Sequence, residues 1–175
     1  MLDKQTHVIN HEISHLVMYL YMGGSIQDIR EMQLKPLNGY IRQISHDIAE
    51  SYFSNCCLAL AGPVSDGLVG ELHSEGDIKN AHERLRKGLS QNGLKGEALN
   101  ERIDWEYKRS WNLTEKVMIE NQKIIMRLVD EAALIMNKNK IISKNKIHKL
   151  AKTVIAEWNN RGYKFFKYPA DVTPV

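Results

Sequence analysis

The sequence predicts a mainly α domain: an array of about six helices with a small two-stranded β-ribbon. Three observations predict it. Apolar residues recur at three- and four-residue spacings through most of the chain, as in Val117, Ile124, Leu128, Ala132 and Ile135. That period lapses in one early stretch, "IQDIREMQLKPLNGYIRQI", where Pro36 and Asn38-Gly39 supply a turn between two short runs. There is no internal repeat and no low-complexity segment, and 175 residues suit one domain with a core large enough to fold alone. That domain is expected over residues 1–160, with 161–175 as a C-terminal tail.

The first helix is expected to begin after Asp3, a good N-cap, and to stop at Gly23-Gly24, where a left-handed cap is easy. The ribbon follows, over residues 29–34 and 40–44. Ser45 or Asp47 is read as the cap of a second helix. Its high apolar content (Cys56, Cys57, Leu58, Leu60) makes it central, and Gly62-Pro63 marks a break or kink. A loop, "GELHSEG", precedes an amphipathic helix over residues 77–89, with Ile78, Ala81, Leu85 and Leu89 on one side. Residues 97–111 and 114–136 read as two further helices, and Ser143 caps a last one. Pro169 and Pro174 keep the tail from being helical throughout.

Composition removes several classes of function. With 43% hydrophobic and 26% charged residues, the chain has an ordinary globular balance. A net charge of +3 does not argue for nucleic acid, and the lysines after Lys138 read as a solvated helical face. The apolar runs, residues 16–22 and 56–63, fall well short of the roughly 20 residues that a bilayer needs. "MLDKQTH" lacks a charged-then-apolar signal pattern. Cys56 and Cys57 are adjacent and offer no C-x-x-C spacing, which suits a reducing, cytoplasmic location. There is no P-loop.

The stretch "VINHEISHLVMYLYMGG" contains H-E-x-x-H. On a helix each residue turns about 100° and rises about 1.5 Å, so His15 sits about 40° from His11, one turn along. Both imidazoles can reach one ion. Ile9, Ile13, Leu16, Val17 and Leu20 centre on nearly the opposite side and face the core. Glu12 lies about 100° from His11, beside such an ion, where it can act as the general base on a metal-activated water. His7 extends the histidine stripe by one turn and reads as a residue supporting the ligands or lying at the surface. A catalytic zinc takes three protein ligands and keeps one position open. Candidates for the third are Asp47, Asp66, Glu71, His73, Glu75 and Asp77. Asp77 stands out because it lies within about 80° of Ile78, Ala81 and Leu85 and so points inward with them. A first-turn acid favoured by the helix dipole is the competing account of it.

The ordered set of segments resembles the peptidase domain of the FtsH-type AAA+ zinc metalloproteases. "HEISH" is similar to the family's H-E-A-G-H, and the ribbon stretch follows it. "AGPVSDGLVGE" resembles the end of a buried helix reading G-G-R-x-A-E-E, and "SEGDIKNA" resembles G-A-S-N-D-I-x-x-A. The similarity spans residues 5–89, with a weaker match over 114–158. It implies Asp77 as the third zinc ligand and Asp66 as a residue supporting the site. The chain departs from the family at Ile13-Ser14, at Pro63 in place of an arginine, and at Asp66 in place of a glutamate. The ATPase module of the family has no counterpart in these residues.

The resemblance therefore implies an ATP-independent zinc metalloendopeptidase. His11, His15 and Asp77 hold Zn²⁺ and Glu12 moves the proton. The expected substrate is a peptide or unfolded protein, reached alone or delivered by a separate ATPase or adaptor, and a homo-oligomer is compatible with it. No nucleic acid and no membrane segment is expected. Two other readings fit the residues: a catalytically inactive peptidase-like module that binds metal or peptide, and a helical interaction protein without metal.

Overall fold

The structure, a computed structural model, describes residues 4–34, 39–43, 51–70, 75–136 and 141–163. It is mainly helical, with five α-helices and a small antiparallel sheet among the described residues. Helix α1 (Lys4–Tyr21) ends where Gly23 takes φ 86°, while Gly24 N–H donates to the Tyr19 carbonyl, closing the helix with the expected glycine cap. Gly24 has a second reason to be glycine. A Cβ there would lie 2.4 Å from atoms of the Tyr19 ring, which folds back over the turn.

Helix α1 is not two-faced as its apolar pattern predicts. Ile9, Ile13, Leu16, Val17 and Leu20 are buried, but so are Asn10, Glu12, Ser14 and Tyr19. The reason is tertiary: neighbouring helices enclose α1, and Asn10, Ser14 and Tyr19 find partners inside. Asn10 Nδ2 donates to Ser65 Oγ at 2.9 Å, and Ser14 Oγ donates to the Asn10 carbonyl at 2.8 Å. His7, His11 and His15 are half-buried.

Helix α2 (Tyr52–Leu68) starts later than the sequence suggests. Ser51 is its N-cap, with Oγ accepting from Ser54 N–H at 3.2 Å. The caps expected at Ser45 and Asp47 lie outside the described residues. The expected break at Gly62-Pro63 does not end the helix. Burial on nearly every side between α1, α3 and α4 holds the turn together despite the missing N–H of Pro63. Helix α3 (Glu75–Gln91) packs on α2 through Ala81, Leu85 and Leu89. Gly88 lets it come close: a Cβ there would sit 2.3 Å from Tyr52 Cβ.

The two helices expected over 97–111 and 114–136 are one, α4 (Gly96–Ile135), 40 residues long. No glycine or proline interrupts "SWNLTE", and Thr114 is not a cap. It is fully buried, and its hydroxyl donates to the Cys57 carbonyl of α2 at 3.4 Å. Among the described residues the count is therefore five α-helices.

Strands β1 (Ile29–Leu34) and β2 (Gly39–Gln43) form the expected ribbon, in register from Leu34↔Gly39 to Ile29↔Gln43 with a bulge between Ile29 and Glu31. A third strand, β3 (Ile141–Ile142), was not foreseen, because two residues carry no period. It pairs with β1 at Met32 and Gln33, giving the order β2-β1-β3. Helix α5 (Lys144–Asn160), with Ser143 at its N-cap, closes the domain. Its His148 ring lies 2.8 Å from the Ile29 carbonyl.

Tyr163, at the start of the expected tail, stacks on Trp158, and its hydroxyl donates to Glu120 at 2.7 Å. The rest of the tail lies outside the described residues. Trp158 is fully buried and its Nε1–H donates to Asn121 Oδ1 at 2.6 Å. Asn121→Leu removes that acceptor from a buried indole N–H, so it should cost about 1–3 kcal/mol of stability. Urea denaturation of the two proteins measures this, and a midpoint unchanged at equal slope would contradict it.

Candidate metal centre

Two helices meet along matched ridges. Helix α1 offers His7, His11 and His15 at four-residue spacing, and α2 offers Leu58, Gly62 and Asp66 at the same spacing. They run in opposite directions, so His15 meets Leu58, His11 lies over Gly62, and His7 and His11 share Asp66. His15 Nδ1 is 2.8 Å from the Leu58 carbonyl, which can only accept, so Nδ1 carries the proton. His11 Nδ1 is 2.8 Å from Asp66 Oδ2. Both rings are thus held through Nδ1 and turn Nε2 to the same point, as partners of metal-ligating histidines do.

At that point, His11 Nε2 is 3.0 Å from Asp77 Oδ2 and 3.1 Å from His15 Nε2, and His15 Nε2 is 3.9 Å from the same Asp77 oxygen. Ligands on a tetrahedral zinc, at about 2.0–2.1 Å each, stand about 3.3 Å apart. The three separations bracket that value. Either a proton on His11 Nε2 or a cation among the three atoms accounts for separations this short. The residues present therefore fit a divalent ion of the zinc type, with two nitrogen ligands and one carboxylate oxygen. Among the described residues, this is the group able to hold a metal.

Electrostatics are consistent with a cation-seeking site. In the metal-free protein, burial works against a charged His11 ring, but the hydrogen bonds to Asp66 and Asp77 outweigh it and push its pKa up to about 10. A proton on His11 there occupies the place that a metal cation suits. Burial and the neighbouring His11 charge push His15 down to about 4. Burial, opposed by His11 and aided by the Asp77 and Asp66 charges, raises Glu12 to about 8. Glu12 is 2% exposed, and its Oε2 is buried without a hydrogen-bond partner among the described residues. A buried, unpartnered carboxylate oxygen beside a ligand cluster is costly for folding alone. It is also what a site acting on a bound molecule requires.

The structure brings together His7, His11, Glu12, His15, Asp66 and Asp77 from α1, α2 and α3. Asp77 sits in the first turn of α3 with its side chain 27% exposed, and it turns to the histidines. Glu75 is exposed, while Asp47, Glu71 and His73 lie outside the described residues. Two participants escape sequence reasoning: the Leu58 carbonyl, which has no side-chain signature, and Gly62. The latter left a trace. A glycine in mid-helix costs about 1 kcal/mol relative to alanine and so asks for a packing reason. The reason is that a Cβ on Gly62 would lie 2.3 Å from His11 Cε1 and Nε2.

No protein-family profile matches the chain, and no curated protein matches it. The functional reading rests on the geometry described above. No helix among the described residues is long and apolar enough to cross a membrane.

Proposed function

We propose that the chain is a zinc-dependent metallopeptidase of the H-E-x-x-H type, resembling the FtsH peptidase domain and acting without an ATPase module of its own. The observation that carries this reading is the convergence of His11 Nε2, His15 Nε2 and Asp77 Oδ2 beside the buried Glu12. A zinc ion held there supplies Lewis-acid polarisation of a peptide carbonyl and lowers the pKa of water towards about 7. The chain's own residues do the rest. Asp66 and the Leu58 carbonyl fix the two imidazoles in one tautomer. Glu12 takes the proton of the attacking water on its unpartnered carboxylate and passes it to the leaving amine.

The substrate is an extended segment. Strand β1 has β2 on one side and β3 on the other, so β2 forms one edge of the described sheet and β3 the other, and β2 packs against α1. A peptide adding to that edge gains main-chain hydrogen bonds close to the ligand-bearing helix. Unfolded proteins or short peptides fit this mode, reached directly or delivered by a separate ATPase or adaptor.

Metal content of the purified protein tests the ligand set, measured beside Asp77→Ala. The native chain should retain about one zinc per protein, and the variant should lose at least 100-fold in affinity. Cleavage of a panel of unfolded proteins tests the reaction. Zinc bound with no cleavage of any of them would favour an inactive binding module, and a native chain free of zinc under zinc-replete conditions would end the metal reading.

A further inference from the structure

We propose that His7 is a positioning residue for the metal centre, acting through Asp66; the inference rests on the metal reading above. Asp66 is 1% exposed, and each of its oxygens meets one imidazole. Oδ1 is 2.9 Å from His7 Nε2, and Oδ2 is 2.8 Å from His11 Nδ1. An aspartate carboxylate swings about its Cβ–Cγ bond, so one hydrogen bond on Oδ2 leaves it free to tilt. The second bond, on Oδ1, stops that swing and fixes the direction from which Oδ2 approaches His11. His7 and His11 are one helical turn apart on α1, so the two rings and the carboxylate form a closed clamp between α1 and α2.

Two further features separate this role from that of a surface histidine. The His7 side chain is 25% exposed, so truncating it removes little from the core. Without it, Asp66 Oδ1 is left as a buried acceptor and must turn or draw in water, and either change moves Oδ2. The effect of His7 is then felt at the metal and not in the fold.

The experiment is zinc affinity by competition with a chromogenic chelator, backed by the visible spectrum of the cobalt(II)-substituted protein. His7→Ala should weaken zinc binding about 10- to 100-fold, alter the cobalt bands and leave the far-ultraviolet circular dichroism unchanged. His7→Gln, whose terminal amide can donate to Oδ1, should recover much of the loss. In an Asp66→Asn background, where the carboxylate acceptor is already gone, His7→Ala should add little. Native-like affinity in His7→Ala would overturn the proposal, as would an equal further loss in the Asp66→Asn background. A native chain that takes up no zinc sinks the metal reading and this inference with it. Zinc bound by the native chain with an unaffected His7→Ala sinks the role of His7 alone.

Discussion

Glu12→Gln should leave zinc bound with near-native affinity while peptide cleavage falls by about 10²–10⁴-fold, the usual range for a lost general base. Glutamine keeps the size of the buried side chain but cannot accept and return the proton. The two readouts separate roles: loss of metal would make Glu12 a structural support, and unchanged turnover would remove it from the chemistry.

The same substitution has a consequence for the metal-free protein. Burial first, with the Asp77 and Asp66 charges adding to it, holds the Glu12 pKa at about 8, above its ordinary carboxylate range. A group raised in this way favours the folded state at low pH, where the unfolded chain also carries the proton. That advantage disappears as pH rises through the folded value. Between about pH 5 and pH 8 the stability of metal-free native protein should therefore fall relative to that of the glutamine variant. Chemical denaturation at several pH values in the presence of a chelator checks this, and parallel curves for the two proteins would contradict it.

Gly62→Ala should be the most damaging small substitution in the domain for metal binding. A methyl group there falls 2.3 Å from His11 Cε1 and Nε2 and 2.6 Å from Nδ1, well inside van der Waals contact. The ring cannot retreat without breaking its hydrogen bonds to Asp66 on one side and Asp77 on the other. Alanine is otherwise the better helix former by about 1 kcal/mol, so α2 itself has no reason to suffer. Zinc affinity should fall at least 100-fold with the helical content of the protein preserved. Chelator competition measures it, and native affinity would show that α2 shifts to make room.

Local features were legible in the sequence, and features that depend on distant partners were not. The ribbon could be read because Pro36 and Asn38-Gly39 announce a turn, and β1 and β2 fall within a residue of the expected spans. The placing of His11, Glu12 and His15 on one helix follows from its pitch alone. Bringing Asp77 to them is different. Helix pitch turns it inward but leaves a first-turn acid as an equal account, and in sequence the resemblance to a known family then weights it. The continuity of α4 was hidden because the carbonyl that satisfies Thr114, on Cys57, lies 57 residues away. The burial of polar Asn10 on α1 was hidden for the same reason: its partner, Ser65, lies 55 residues away. The two-residue β3 is too short to leave any pattern.

The pairing of two four-residue ridges makes the cluster a gauge of helix alignment. Slippage of α1 against α2 by one turn, about 5.4 Å, would set each imidazole opposite the wrong neighbour and dismantle every support together. Inserting one residue between Leu58 and Asp66 would swing the carboxylate about 100° away from both rings. In the proposed metal site, zinc uptake would then report, at ångström scale, whether these two rods have docked in their native phase, with cobalt colour as its optical readout.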